Sequence, residues 1–228
     1  MGENMKELTP RRWFLSRFGM TASALGLGAA TVHGQSQPAP TAPTSPAEGR
    51  WHPAREAKDD WYDQLPGVHR IFFDTLSASG LGEAQAFAGN TFEGNKNVYG
   101  LENNEIAIVI CIRHMATPLA FGDAIWTKYG SVLGDAIKLT DAKTGQPPTV
   151  NSHKATLEAL AKRGVHFAVC DMASHRFAGM VARRTDGNAD AIYKEMVENA
   201  VSNAHFVAAG IIAVNRAQER GYSVAYVG

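Results

Sequence analysis

The sequence predicts an α/β domain of three layers, α/β/α, built on a mostly parallel five-stranded sheet. Three observations carry that prediction. From residue 68 onward, short apolar, β-branched runs alternate with stretches of helical periodicity. One run, 105–112 (Glu-Ile-Ala-Ile-Val-Ile-Cys-Ile), is apolar almost throughout, as a strand covered on both faces must be. Hydrophobic residues make up 45% of the 228-residue chain and charged residues 19%, which is enough apolar material for a packed core.

The first strand is expected at 68–73, followed by Gly80, Gly82 and a helix over 83–98. The second strand is the apolar run at 105–112. Pro118 suits a helix start, and Phe121, Ile125 and Trp126 share one face of a helix reaching about residue 129. Residues 130–150, with Gly145, Pro147 and Pro148, read as a loop. Ser152 is expected to cap a helix that Gly164 stops. The third strand follows at 165–170, then a helix-compatible run at 173–183. Ile192, Met196 and Ala200 form the stripe of a helix over 190–202. A fourth strand (204–207), a helix (210–220) and a final strand (222–227) complete the pattern. Strand–helix alternation requires crossover connections and hence parallel pairing. In open sheets of this kind, ligands and reactive groups gather beyond the carboxyl ends of the strands.

Ahead of the domain, taken as 67–228, the chain carries two segments of a different kind. Arg11 and Arg12 precede Trp-Phe-Leu and a weakly apolar run from Phe18 to Val32, the order expected of a twin-arginine export signal over 1–34. Pro10 stands where a Ser or Thr is usual. The apolar run is shorter than the ~20 residues a spanning helix needs, so no stable membrane insertion is expected once the signal is removed. Residues 35–66 read as a Pro/Ala-rich linker and N-terminal extension. The expected location is therefore the periplasm.

Composition and missing motifs narrow the function. The 22 Lys and Arg balance 22 Asp and Glu, and removal of residues 1–34 leaves a net charge of −2. No basic excess is present for a nucleic-acid surface. Two cysteines cannot build a disulfide scaffold or a four-cysteine zinc site. GxGxxG after the first strand, the P-loop, HExxH, CxxC, CxxCH and GxSxG are all absent. No cofactor and no metal is expected.

What remains is a thiol. Cys170 ends the third strand just before a helix, where unpaired N–H groups favour negative charge and thiolate reactivity. Asp171 opposes this, whereas Ser174 can donate a hydrogen bond and His175 can supply positive charge. Arg113 and His114 follow the second strand and belong to the same rim, as support for a thiolate or an anion. Cys111 lies inside an apolar run and reads as core filling. A structural Cys170, or a bridge between Cys111 and Cys170 in an oxidising compartment, are the competing expectations.

Three stretches give the chain its resemblance to a known family: 68–88, the opening strand and helix; Gly-Val-His-Phe-Ala-Val-Cys at 164–170 with the Met-Ala-Ser-His-Arg-Phe-Ala-Gly that follows Asp171; and 206–222, a glycine-headed helix leading into Arg-Gly-Tyr and a last strand. Together these resemble the DsrE/DsrF-like family, which includes TusD-type sulfur-relay subunits. The resemblance implies a small α/β/α domain assembling into trimers or hexamers. It also implies a cysteine, at the position of Cys170, that accepts sulfane sulfur as a persulfide and passes it to a partner thiol. The chain departs from the relay subunits in its export signal and in its longer connection between His114 and Gly164. Two functions follow. One is an exported carrier of sulfane sulfur or thiols, acting through Cys170 with a thiol-bearing donor or acceptor protein. The other is a non-catalytic, oligomeric periplasmic protein that binds a small ligand or anion.

Overall fold

The structure is a computed structural model and describes residues 52–228. The export signal and most of the linker expected from the sequence lie outside the described residues. After a 3₁₀ turn at Ala57–Asp59 come helix α1 (Trp61–Gln64), strand β1 (His69–Thr75), α2 (Ala78–Tyr99) and β2 (Ile106–Ile112). A 3₁₀ segment, His114–Ala120, leads to α3 (Asp123–Ile137), α4 (Lys154–Lys162), β3 (His166–Cys170) and α5 (Asp171–Thr185). The chain continues through α6 (Ala189–Glu198), β4 (Ala204–Val207), α7 (Gly210–Glu219) and β5 (Ser223–Val227).

All five strands are parallel, in the order β4-β3-β2-β1-β5. The order and the handedness of crossovers together decide the layers. From β1 to β4 each connection steps the same way across the sheet. Right-handed crossovers therefore place α2 to α6 on one face. The connection from β4 to β5 steps back across three strands, so α7 covers the other face. The core follows suit. Ile106, Ile108, Ile110 and Ile112 of β2 pack with Trp126 and Phe177 on the first side. The alternate residues Ala107, Val109 and Cys111 pack with Tyr62, Ala213 and Ala217 on the second. Every β2 residue is buried, as its near-continuous apolar run requires.

Several boundaries differ from the sequence expectation, each for a local reason. Helix α2 begins at Ala78, because the Ser77 hydroxyl accepts the Gly80 amide (3.1 Å). Helix α3 starts after a separate 3₁₀ turn and runs on to Ile137, through part of what reads as loop. Its Gly130 makes room for the following segment, since a Cβ there would stand 2.2 Å from the Pro148 carbonyl oxygen. Ser152 does not cap α4. Instead the Asn151 side chain accepts the His153 amide (2.9 Å) and donates to the Leu119 and Phe121 carbonyls (2.7 and 2.9 Å). Helix α5 begins directly after Cys170, two residues earlier than expected.

The segment ahead of residue 67 also contributes to the core. Tyr62 is 0% exposed on the thinner second face, and its carbonyl accepts the Tyr222 hydroxyl (2.8 Å). Trp61 stacks on His205 (ring centroids 3.9 Å apart, planes at 4°), and His205 Nε2 lies 2.8 Å from His166 Nδ1. With only α7 and this short helix covering that face, Tyr62 supplies much of its apolar cover. Tyr62→Ala should lower the unfolding free energy by about 3–5 kcal/mol, as for other buried aromatic truncations, measured by urea denaturation.

The histidine pair has a pH consequence. Burial and the neighbouring His166 lower the pKa of His205 to about 4, and burial lowers that of His166. Below the ordinary value of 6.5 the unfolded chain binds protons that the folded one refuses. Stability is then full above about pH 6.5 and falls as the pH drops towards 4. His205→Phe, which keeps a ring beneath Trp61, should flatten the decline of the urea midpoint across that window.

Candidate functional site

The crossover geometry opens one crevice in the sheet. Helix α5 leaves β3 towards the first face, and α7 leaves the adjacent β4 towards the second. Between their N-termini, at the carboxyl ends of the strands, is a pocket of about 270 Å³. Such a reversal point is where open α/β sheets gather ligands. Cys170, Met172, Ala173 and Arg176 line it from the β3–α5 side, Ala209, Gly210 and Ile211 from α7, and Arg113 and His114 from the end of β2.

Cys170 is the N-cap residue of α5 and is 8% exposed. Its extended backbone (φ −70°, ψ 109°) ends the strand and lets the helix begin at Asp171. No side chain caps the first turn of α5, and none caps the first turn of α7. Both helices thus bring unpaired N–H groups and the positive ends of their dipoles to the crevice. Cys111 is 0% exposed, and burial pushes its thiol pKa well up. Its Sγ lies 3.8 Å from the Gly210 carbonyl oxygen.

The two cysteines are free and not bridged. The strand register accounts for this. Cys111 pairs with Ala168, so Cys170 is two residues further along β3. One thiol lies inside the core and the other at its rim.

Arg113 is the most tightly held residue of the site. Its Nε and Nη2 donate to the two carboxylate oxygens of Asp74, at 2.6 and 2.8 Å. Asp74 stands near the end of β1 and is buried. The Asp74 hydrogen bonds raise the Arg113 pKa further. The stem of Arg113 lies across Gly210, where a Cβ would come within 2.4 Å of the Arg113 Cβ. Only a glycine at this helix start lets the side chain pass. The sequence points to Arg113 but not to its partner. The signal was present as a lone acid at the carboxyl end of an apolar strand, a position where an uncompensated charge is costly. Arg176, one turn into α5, was missed as well; its Nη2 approaches the His114 carbonyl oxygen at 3.5 Å. His114 itself is exposed, with a left-handed backbone (φ 55°) that turns it out over the rim.

Two residues expected to support the thiol are engaged elsewhere. Ser174 is fully buried, and its hydroxyl donates to the Cys170 carbonyl (2.9 Å), the ordinary i−4 contact of a helical serine. His175 stacks on Tyr193 of α6 (ring centroids 3.7 Å apart) and does not line the pocket. The same Tyr193 donates its hydroxyl to Asp171, whose other carboxylate oxygen lies 3.8 Å from His175 Nε2. The negative charge next to the thiol is thus engaged by α6. Among the described residues no three His, Cys, Asp or Glu side chains group as metal ligands.

No family model matches the chain, and no curated protein matches it. Among solved structures, a protein of unknown function from Methanobacterium thermoautotrophicum is similar. It has 13% identity and a TM-score of 0.40 over 69% of this chain and 98% of that one.

Asp74→Asn leaves the guanidinium beneath the rim with one neutral acceptor in place of two anionic ones. It should cost about 2 kcal/mol in urea denaturation.

Proposed function

We propose that the protein is an exported carrier of sulfane sulfur, loaded and unloaded at Cys170. The observation that carries this reading is the contrast between the two thiols. Cys170 alone borders the crevice, at an uncapped helix start with Arg113, Arg176 and His114 on the rim. Cys111 is sealed in the core and plays no part. The resemblance to the DsrE/DsrF-like family supports the same cysteine, and the paired arginines near the N-terminus support work in the periplasm. A homo-oligomer, a trimer or hexamer, belongs to this reading through the resemblance.

The chemistry is an exchange of one sulfur atom without net oxidation. The Cys170 thiolate attacks the outer sulfur of a donor persulfide. The donor S–S bond breaks, and the donor's own sulfur leaves with the electron pair and takes up a proton. Cys170 then carries the outer sulfur as a persulfide. An acceptor thiolate attacks that sulfur in turn, and the Cys170 thiolate departs. Negative charge that develops on the transferred sulfur is of the sign that the two uncapped helix N-termini and Arg176 attract.

A second reading rests on the shape of the crevice. A pocket with cations and apolar walls also suits a non-catalytic protein that binds a small anion, with Cys170 as one of its walls. The two readings differ in the thiol. Native protein treated with a persulfide donor should gain the mass of one sulfur, and Cys170→Ser should abolish that gain while Cys111→Ser preserves it. Loading that survives Cys170→Ser, or iodoacetamide labelling of Cys170 that proceeds only on unfolding, would reject the carrier in favour of the binding protein.

A further inference from the structure

The exposed face of α5 runs directly into the Cys170 crevice, and its composition is unusual for this chain. Met172, Arg176, Gly179 and Arg183 follow at spacings of four, three and four residues, so they form a single stripe along the helix. Arg184 lies beside it. Met172 is 68% exposed, and Ile211, across the mouth of the pocket, is 62% exposed. The stripe covers about 16 Å at the ordinary rise of an α-helix.

The arginines of this face have no carboxylate partners. Several other cations of the domain do: Arg113, Lys128, Lys154, Arg163 and Arg216 are in ion pairs. Among the described residues no carboxylate oxygen lies within 4.0 Å of Arg176, Arg183 or Arg184. Of the nearby acids, Asp171 is held by Tyr193, and Asp186, the C-cap residue, forms no ion pair with these arginines. Arg183 and Arg184 occupy the last turn, where cations complement the helix dipole. That accounts for neither Arg176, one turn from the start, nor the two bare apolar side chains beside it. Lys58, Arg70, Lys138, Lys143 and Lys162 also have no ion pair, but they are scattered over the domain, whereas Arg176, Arg183 and Arg184 share one helix.

We propose that this face is the docking surface for an acidic, thiol-bearing protein partner, which lays carboxylates along Arg176 and Arg183 and so brings its cysteine to Cys170. The inference rests on the carrier reading of Cys170 and adds the chemistry of the partner. Charge complementarity selects the occupant: unpaired guanidiniums bind carboxylates through paired N–H groups. Met172 and Ile211 supply the apolar centre that a protein contact uses. A nucleic acid would find three arginines on a chain without basic excess.

The test uses two helical peptides, each with one cysteine held as its 2-pyridyl mixed disulfide, one rich in Glu and Leu, the other rich in Lys and Leu. The Cys170 thiolate attacks the peptide sulfur, the S–S bond breaks, and pyridine-2-thiolate leaves with the electron pair and is protonated to the thione, whose absorbance gives the rate. At low ionic strength the acidic peptide should react at least about tenfold faster than the basic one. The advantage should shrink at high salt and be lost in Arg183→Glu/Arg184→Glu, with Arg183→Ala/Arg184→Ala intermediate.

Methyl 2-pyridyl disulfide, which has no peptide to dock, should react equally with the native protein and these variants. Equal rates for both peptides beside a normal rate for this small reagent would overturn the docking surface and leave the carrier reading intact. An inert Cys170 would remove the carrier reading instead. The surface would then be judged by fluorescence anisotropy of the acidic peptide with Ser in place of Cys. Salt-sensitive binding lost in the Glu variant supports it, and absence of binding overturns it. A single-stranded oligonucleotide that matches the acidic peptide, or self-association abolished by the same variant, would also overturn it by naming a different occupant.

Discussion

The handedness of the crossovers is the constraint from which the site follows. A right-handed connection places its helix on the face set by the direction of the step, and the step reverses only once, between β4 and β5. Because α5 and α7 must leave neighbouring strands towards opposite faces, the ends of β3 and β4 cannot be roofed by a single helix. The crevice exists before any side chain is chosen. Side chains then decide its character: a thiol at the end of β3, a glycine at the start of α7, and guanidiniums from just after β2 and from the first turns of α5.

The Asp74–Arg113 pair gives that crevice a fixed floor. Removing two charges from water costs several kcal/mol per ion, and good geometry is needed to recover it. The pair therefore says little about stability and much about placement. Asp74 is held by β1, Arg113 follows β2, and the arginine stem crosses the backbone of α7 at Gly210. The bidentate contact ties the end of β1 to the residue after β2, and the same arginine's stem sets α7 against both.

Much of this was legible in the sequence because the dominant signals are periodic and local. The β2 run, the Ala204–Val207 strand and the Gly210 helix start were readable from apolar patterning and glycine position alone. Cys170 was recognisable as a site residue because strand and helix meet at it. The misreadings share a cause: each required knowing what lay opposite. Ser174 and His175 carry suitable groups, but helix geometry turns one to its own backbone and the other to Tyr193. The start of the 130–150 stretch reads as loop until the Pro148 carbonyl, which Gly130 makes room for, is known. Tyr62 lies in a segment of linker composition, and nothing local announces that Tyr222 will accept it as a neighbour. Arg176 and Asp74 were overlooked because their relevance comes from neighbours that only the folded chain supplies.

The position of β5 beside β1 has a kinetic side. Ile71 pairs with Ser223, and Thr75 with Val227. Until that late strand arrives, β1 has one unpaired border, although it is the second strand in from that side in the finished sheet. Nearly the whole domain must therefore emerge from the ribosome before the sheet can close. Contacts so distant along the chain make assembly slow and leave a sticky border open for longer. A chain cut short before Ser223 would retain most of its core residues yet keep a ready template for pairing with other chains.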